Sequence, residues 1–263
     1  MSEYEDWLAW RASRVAEMAA AESWLSVIAL TPIEGERASV GSAPDCAIRL
    51  PGGPLHAGVI AIRGISAEWQ PATGPATPLD VDLDGIRSTP TPIDLGRHRL
   101  YVVERDGRLS VRVRDLEWAS TQAFAGIDCF AYAPAWNVDA SWERLASPMT
   151  LEVPSVTGEL RLKTITHRAL FSSPDGSTQA LLPVYTDDEN VLFVFRDSTS
   201  GRVSYGGGRF LRTAIPAGAR IRLDFNRAYN PPCAFTPFAT CPLPPAENWL
   251  PFAVEAGEKK YGK

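Results

Sequence analysis

The sequence predicts a mainly β protein: an N-terminal helix, a β-sandwich, and then a second β-sheet or barrel-like unit crossed by a proline-rich C-terminal loop. Three observations carry this reading. Apolar residues recur at helical spacing only over the first 22 residues or so. From Trp24 onward, short β-rich runs are separated by turn residues at short intervals, a texture that favours a sandwich or barrel over an alternating βαβ fold. The segment Asp224 to Pro251 holds seven of the chain's 22 prolines. Proline removes a backbone donor and restricts the residue before it, so this segment is neither helix nor central strand. Its Phe, Tyr, Trp, Leu and Cys residues mark it as an ordered loop, because disordered tails are poor in such residues.

The helix is announced by Ser2 and Glu5 in a capping box, with Tyr4, Leu8, Val15 and Met18 at helical spacing and Trp7 and Ala12 beside them. Strands are expected at Trp24 to Leu30, Ala47 to Leu50, Ala57 to Arg63 and Arg99 to Glu104. The clearest hairpin is LYVVERDGRLSVRV, where Asp106-Gly107 suits a tight primed turn and Leu109, Val111 and Val113 alternate inward. Residues 116 to 148 lack clear periodicity and read as a connecting arm. Further strands follow at Leu160 to Thr164, Arg168 to Phe171, Thr178 to Tyr185, Val191 to Phe195, Arg202 to Tyr205 and Arg220 to Phe225. The expected division is a helix at 1–22, a sandwich at 23–130 and a C-terminal β domain at 131–263.

At 263 residues, 45% hydrophobic and 22% charged, the chain can bury a sizeable core. A net charge of −5 and the lack of any basic stripe remove the electrostatic footprint of nucleic-acid binding. An acidic N-terminus and the absence of an apolar run near the roughly 18 residues needed to span a bilayer point to the cytoplasm, with no membrane partner. Four cysteines in such a chain read as thiols rather than a disulfide framework, and Cys46 and Cys129 as packing residues. Cys233 and Cys241 are eight apart, too far for a CxxC redox pair or zinc knuckle, and the three histidines show no metal-binding spacing. No metal or cofactor is expected. The expected partner is a small molecule, with room for a homodimer.

Two stretches carry candidate chemistry. In LFVFRDSTSGRVSYGGGRFL, Arg196 and Asp197 end a strand, and Tyr205, three glycines and Arg209 follow. Consecutive backbone amides in a glycine turn beside an arginine can hold a carboxylate or phosphate. The competing reading is a bulged hairpin whose Arg196 and Asp197 pair internally. The proline-rich loop then offers Asp224, Asn226, Arg227, Tyr229, Asn230, Cys233, Cys241, Glu247 and Asn248 within 25 residues. Cys233 or Cys241 could serve as a nucleophile, with Glu247 or Asp224 as acid-base partner. Arg196, Asp197, Tyr205, Arg209, Asn226, Tyr229, Asn230 and Asn248 are the candidate ligand-binding set. Alternatively, the Asn and Asp side chains satisfy backbone groups that a proline-rich loop leaves unpaired, which makes the loop a structural clasp.

ERASVGSAPDCAIRLPGGPLHAGVIAI resembles the core of a forkhead-associated sandwich, but Ser42 follows Gly41 where that family has arginine. Gly53 stands three before His56 where it has serine. The phosphate-gripping groups are therefore missing and the sandwich reads as scaffold. FRDSTSGRVSYGGGRFL and LDFNRAYNPPCAFTPFATCPLPPAENWLPFAVEAGEK are similar to a bacterial and archaeal family of proteins, domain of unknown function 1684. WLSVIAL…GERASVGSAPDCAIRLP and AFAGIDCFAYAPAWNVDASW are similar to it too. The resemblance implies that Arg196, Asp197, Gly201, Tyr205, Gly208, Arg209, Asp224, Asn226, Tyr229, Asn230, Cys233, Cys241, Pro242, Glu247 and Asn248 belong to its characteristic motifs, and it brings no function. Ala29-Leu30-Thr31-Pro32 departs from the aromatic pair the family often carries there.

Overall fold

Ser2 and Glu5 close the capping box in the computed structural model, which describes residues 2–83, 89–105, 107–121 and 124–262. The Ser2 amide donates to Glu5 Oε2 at 2.7 Å and the Glu5 amide to Ser2 Oγ at 3.3 Å, which starts α1 (Glu3–Ala19). Its buried side chains are Trp7 and Met18, whereas Tyr4, Leu8 and Val15 stay largely exposed, so the expected apolar stripe is rotated toward Trp7. The Trp7 indole N–H donates to the Asn226 carbonyl at 3.0 Å, and Arg14 pairs with Glu258 at 3.0 Å.

The chain divides into two units, Glu17–Phe124 and Met1–Ala16 together with Ala125–Lys263. The first contains β1 (Val27–Pro32), β2 (Arg37–Gly41), β3 (Ile48–Arg49), β4 (Gly58–Arg63), β5 (Ser66–Pro71), β6 (Thr77–Leu79), β7 (Ile93–Leu95), β8 (His98–Arg105) and β9 (Arg108–Asp115). They form two sheets, in order β1-β9-β8-β7 and β3-β2-β4-β5-β6, and every pairing is antiparallel except β2 with β3. Val40, Ile48 and Ile60 from one sheet and Leu100, Val102, Val111 and Val113 from the other meet in a single core. Each fully buried side chain of this kind contributes roughly 1.5–3 kcal/mol. The β8–β9 hairpin forms as the alternation predicts; Asp106 of its turn lies outside the described residues. Trp24 to Ser26, expected as strand, is a 3₁₀ turn ahead of β1.

The other unit holds β10 (Asn137–Pro154), β11 (Leu160–Ser172), β12 (Thr178–Leu181), β13 (Tyr185–Thr186), β14 (Asn190–Phe195), β15 (Arg209–Ala214) and β16 (Arg220–Asp224). Its sheets run β12-β11-β10-β16 and β13-β14-β15, and all their pairings are antiparallel. Phe171, Leu181, Phe193, Phe195, Leu211, Leu223 and Phe225 fill the core, and Leu250 of the proline-rich loop and Val254 just beyond it complete it. That loop is neither helix nor strand; it runs through 3₁₀ turns at Phe225–Arg227, Pro232–Ala234 and Ala246–Asn248.

Four further strand expectations need correction. Thr178 to Tyr185 is two strands, β12 and β13, in different sheets. The arm at 116–148 contains most of the 18-residue β10, whose exposed and half-buried residues alternate too weakly to show a period. Leu160 to Thr164 and Arg168 to Phe171 are one strand, and the register slips on the β10 side between Arg144 and Met149. Arg202 to Tyr205 is a turn closed by a Ser200–Ser204 bridge.

Candidate functional site

Arg209 opens β15 opposite Phe195, the last residue of β14, and its side chain turns into the core, where it is 1% exposed. Its Nη2 donates to Asp197 Oδ2 at 2.6 Å and to the Val254 carbonyl at 2.9 Å, and Nη1 donates to the Ala256 carbonyl. The guanidinium also lies against the Phe195 ring, 5.3 Å from its centroid. Burial pulls the Arg209 pKa below its usual value, and the Asp197 carboxylate opposes that pull. Asp197 spends its second oxygen on the Thr199 amide at 2.6 Å. The ion pair therefore ties the strand ends to the segment 254–256, and its charges face protein groups, not solvent. Gly208 sits at φ +86, where a Cβ would run into the Pro244 ring and approach the Phe195 carbonyl to 2.6 Å, so this turn takes glycine alone.

The asparagines act the same way. Asn248, fully buried, accepts from the Leu182 amide at 2.8 Å and donates to the carbonyls of Leu182 at 2.8 Å and Val194 at 2.9 Å. Asn226 accepts from the Ala133 amide and donates to the Ala133 carbonyl, both at 3.0 Å, and Asp224 receives its Nδ2 at 3.1 Å. Asn230 reaches the Lys259 carbonyl at 2.7 Å, while its amide donates to Glu258 at 2.7 Å. Tyr229 bridges backbone to backbone with Phe210. Arg196 is half-buried, with its guanidinium 4.7 Å from the centroid of the Trp249 ring. Of the expected binding set, Asp197, Arg209, Asn226, Asn230 and Asn248 are thus buried and bonded to protein.

Cys233, Cys241 and Tyr205 do come together. The Cys233 amide donates to Cys241 Sγ at 3.2 Å, and the Tyr205 hydroxyl donates to the Cys233 carbonyl at 3.1 Å. Neither cysteine is in a disulfide. The Cys241 thiol, hydrogen-bonded to Cys233, draws the Cys233 pKa down to about 7, against the opposing effect of burial. Burial chiefly raises that of Tyr205. Glu247 is exposed, and Asp224 is engaged with Asn226 and Arg227. Alkylation of Cys233 by iodoacetamide, followed by intact mass, should rise with pH about a midpoint near 7, because the thiolate is the reacting form. In Cys241→Ala the midpoint should move upward. A wild-type midpoint in the ordinary thiol range near 8.5 would remove the effect of Cys241.

A cleft of about 570 Å³ lies elsewhere on this unit, between the β10–β11 pair and the segment 183–186. Trp142 and His167 stack across the strand pair, with centroids 5.2 Å apart and planes 5° from parallel. Lys163 and Tyr185 add a cation and a hydroxyl to its lining. The alternation of β11 places Lys163, Ile165 and His167 on one face. Sequence reasoning missed this site because Trp142 fell in the supposed arm; the readable signal was that alternation. Asn248 holds Leu182, the residue just before the Pro183–Thr186 wall. Asn248 thereby braces the cleft wall without lining the cleft.

Residues 122–259, just over half the chain, match the model of a family described as "Protein of unknown function (DUF1684)". A solution NMR structure of the uncharacterized protein from gene locus rrnAC0354 of Haloarcula marismortui is similar at 31% identity, with a match covering 52% of this chain and 77% of that one and a TM-score of 0.42. No curated protein matches the chain.

Proposed function

We propose, for a chain that belongs to the DUF1684 family, that its C-terminal unit binds a small anionic or polar ligand in the Trp142–His167 cleft, with the family's motif residues serving as the clasp that fixes its wall. The observation that carries this reading is the cleft's makeup. Its volume of about 570 Å³ lies within the usual range for small-molecule sites, and a stacked aromatic pair is flanked by Lys163 and Tyr185. A flat or aliphatic body would lie along Trp142, and an anionic group would meet Lys163. The N-terminal sandwich, with Gly41 and His56 in the forkhead-like stretch, is read as a non-catalytic scaffold. Among the described residues, no helix is long and apolar enough to cross a membrane.

A thermal-shift series with inorganic phosphate, citrate and benzoate tests the reading. A probe bound at a hundred times its dissociation constant should add about 2.7 kcal/mol of stability. Lys163→Ala, a change on a half-buried strand position, should abolish that shift and leave the unliganded melting temperature close to wild type. If no probe shifts the wild type, or the variant responds equally, the cleft is not the site. A nucleophilic role for Cys233 is the second reading, and its support is the lowered pKa of that thiol beside Cys241 and Tyr205.

A further inference from the structure

Cys46 is a buried thiol whose sulfur lies 3.6 Å from His56 Nδ1, and the other ring nitrogen of His56 is 4.0 Å from Asp45 Oδ1. One ligand atom from each of Asp45, Cys46 and His56 falls within 4.8 Å of the others. We propose that these three side chains bind a single divalent cation of borderline softness, with zinc as the best match. The chemistry of the set supports this choice: thiolate, imidazole and carboxylate are the three side-chain ligand types zinc accepts. The spacing supports it too. Bonds of about 2.3 Å to sulfur and 2.0–2.1 Å to nitrogen, set at a tetrahedral angle, separate sulfur from nitrogen by about 3.5 Å, close to the 3.6 Å observed.

The loops that carry the three residues are already locked. Ser42 and Ala43 donate to the carbonyls of Pro54 at 2.7 Å and Leu55 at 3.0 Å, and the Cys46 amide donates to Ala43 at 3.1 Å. Ser39 Oγ accepts from the Ala47 amide at 3.0 Å and fixes the turn from its other side. Gly41 permits the approach: a Cβ there would collide with the Leu55 carbonyl and come within 3.0 Å of Cys46 Sγ. Packing alone would explain a buried Cys46, yet it gives no reason for an imidazole beside the sulfur with a carboxylate beyond it. His56 and Asp45 are exposed, 61% and 75% by side chain, so they can rotate the short distance that closes the set. Binding converts the Cys46 thiol to thiolate and gives its proton to solvent; no electrons move. Three protein ligands at a surface leave a fourth position for water or a small anion.

The test is titration of the metal-free full chain with zinc by calorimetry, and with cobalt by absorbance. One ion per chain is expected, together with a thiolate-to-cobalt charge-transfer band and the visible bands of a tetrahedral centre. His56→Asn and Asp45→Asn change exposed side chains and should fold normally, while weakening zinc by at least the 10–100-fold known for second-shell changes. Cys46→Ala should erase the charge-transfer band. The Cys233→Ser, Cys241→Ser double variant should bind zinc unchanged. No binding, or equal affinity in His56→Asn, or a signal that follows Cys233 and Cys241 instead, would overturn the assignment.

Discussion

Asp197→Ala should lower the stability of the C-terminal unit by about 3–5 kcal/mol, among the largest losses any single change there would cause. The reason is the company Asp197 keeps. Arg209 is 1% exposed, and without the carboxylate its charge would remain in the core, facing the carbonyls of Val254 and Ala256 and, less directly, the Glu258 carboxylate. Thr199 would lose the acceptor of its amide at the same time. Arg209→Met should cost a similar amount by stranding Asp197. The double variant Asp197→Leu, Arg209→Met should cost clearly less than the sum, because it removes both charges together. Urea unfolding of the four proteins with an unchanged m-value reads this directly. A loss within about 0.5 kcal/mol for either single variant would make the pair no more than a surface bridge in effect.

Asn248→Asp should be nearly as damaging, and it tests a different link. A carboxylate can still accept from the Leu182 amide, but it presents oxygen to the carbonyls of Leu182 and Val194, which now receive Asn248 Nδ2. Leaving buried acceptors unpaired costs about 1–3 kcal/mol each, and the new charge adds to that. The segment after Leu182 is the cleft wall, so hydrogen exchange at Leu182 should quicken by two orders of magnitude or more. Any probe-induced thermal shift should fade with it. Wild-type protection of Leu182 in this variant would separate the clasp from the cleft.

Much of the fold was legible because it is local. The capping box, the β8–β9 hairpin and the ban on regular structure in the proline-rich loop all follow from residues near one another. The arrangement of the site was not local. Asn226 meets Ala133 and Asn248 meets Leu182 across 93 and 66 positions of chain, so the sequence shows polar density without showing whether it faces a ligand or the backbone. Trp142 and His167 are likewise neighbours only through the β10–β11 register, which pairs Trp142 with Ala169 and Arg144 with His167. The mutual pairing of Tyr205, Cys233 and Cys241 was within reach, since all three were already singled out. Arg209 was read as a grip for an anion because a glycine turn beside an arginine suits one; the decisive fact was its burial, set by segment 254–256.

The way α1 groups with residues 125–263 has a consequence for biosynthesis. Trp7 and Arg14 are translated before the whole of Glu17–Phe124, and the groups they seek, the Asn226 carbonyl and the Glu258 carboxylate, come more than two hundred residues later. At roughly 5–20 residues per second the ribosome takes on the order of ten to fifty seconds to deliver them. Throughout that interval the helix is an orphan on the nascent chain, with its indole uncovered, while the sandwich segment has all its own strands in hand. Folding need not follow the order of translation: the sandwich segment can pair its own strands first, whereas the earlier-made helix meets these two partners only after the residues beyond β16 have left the tunnel.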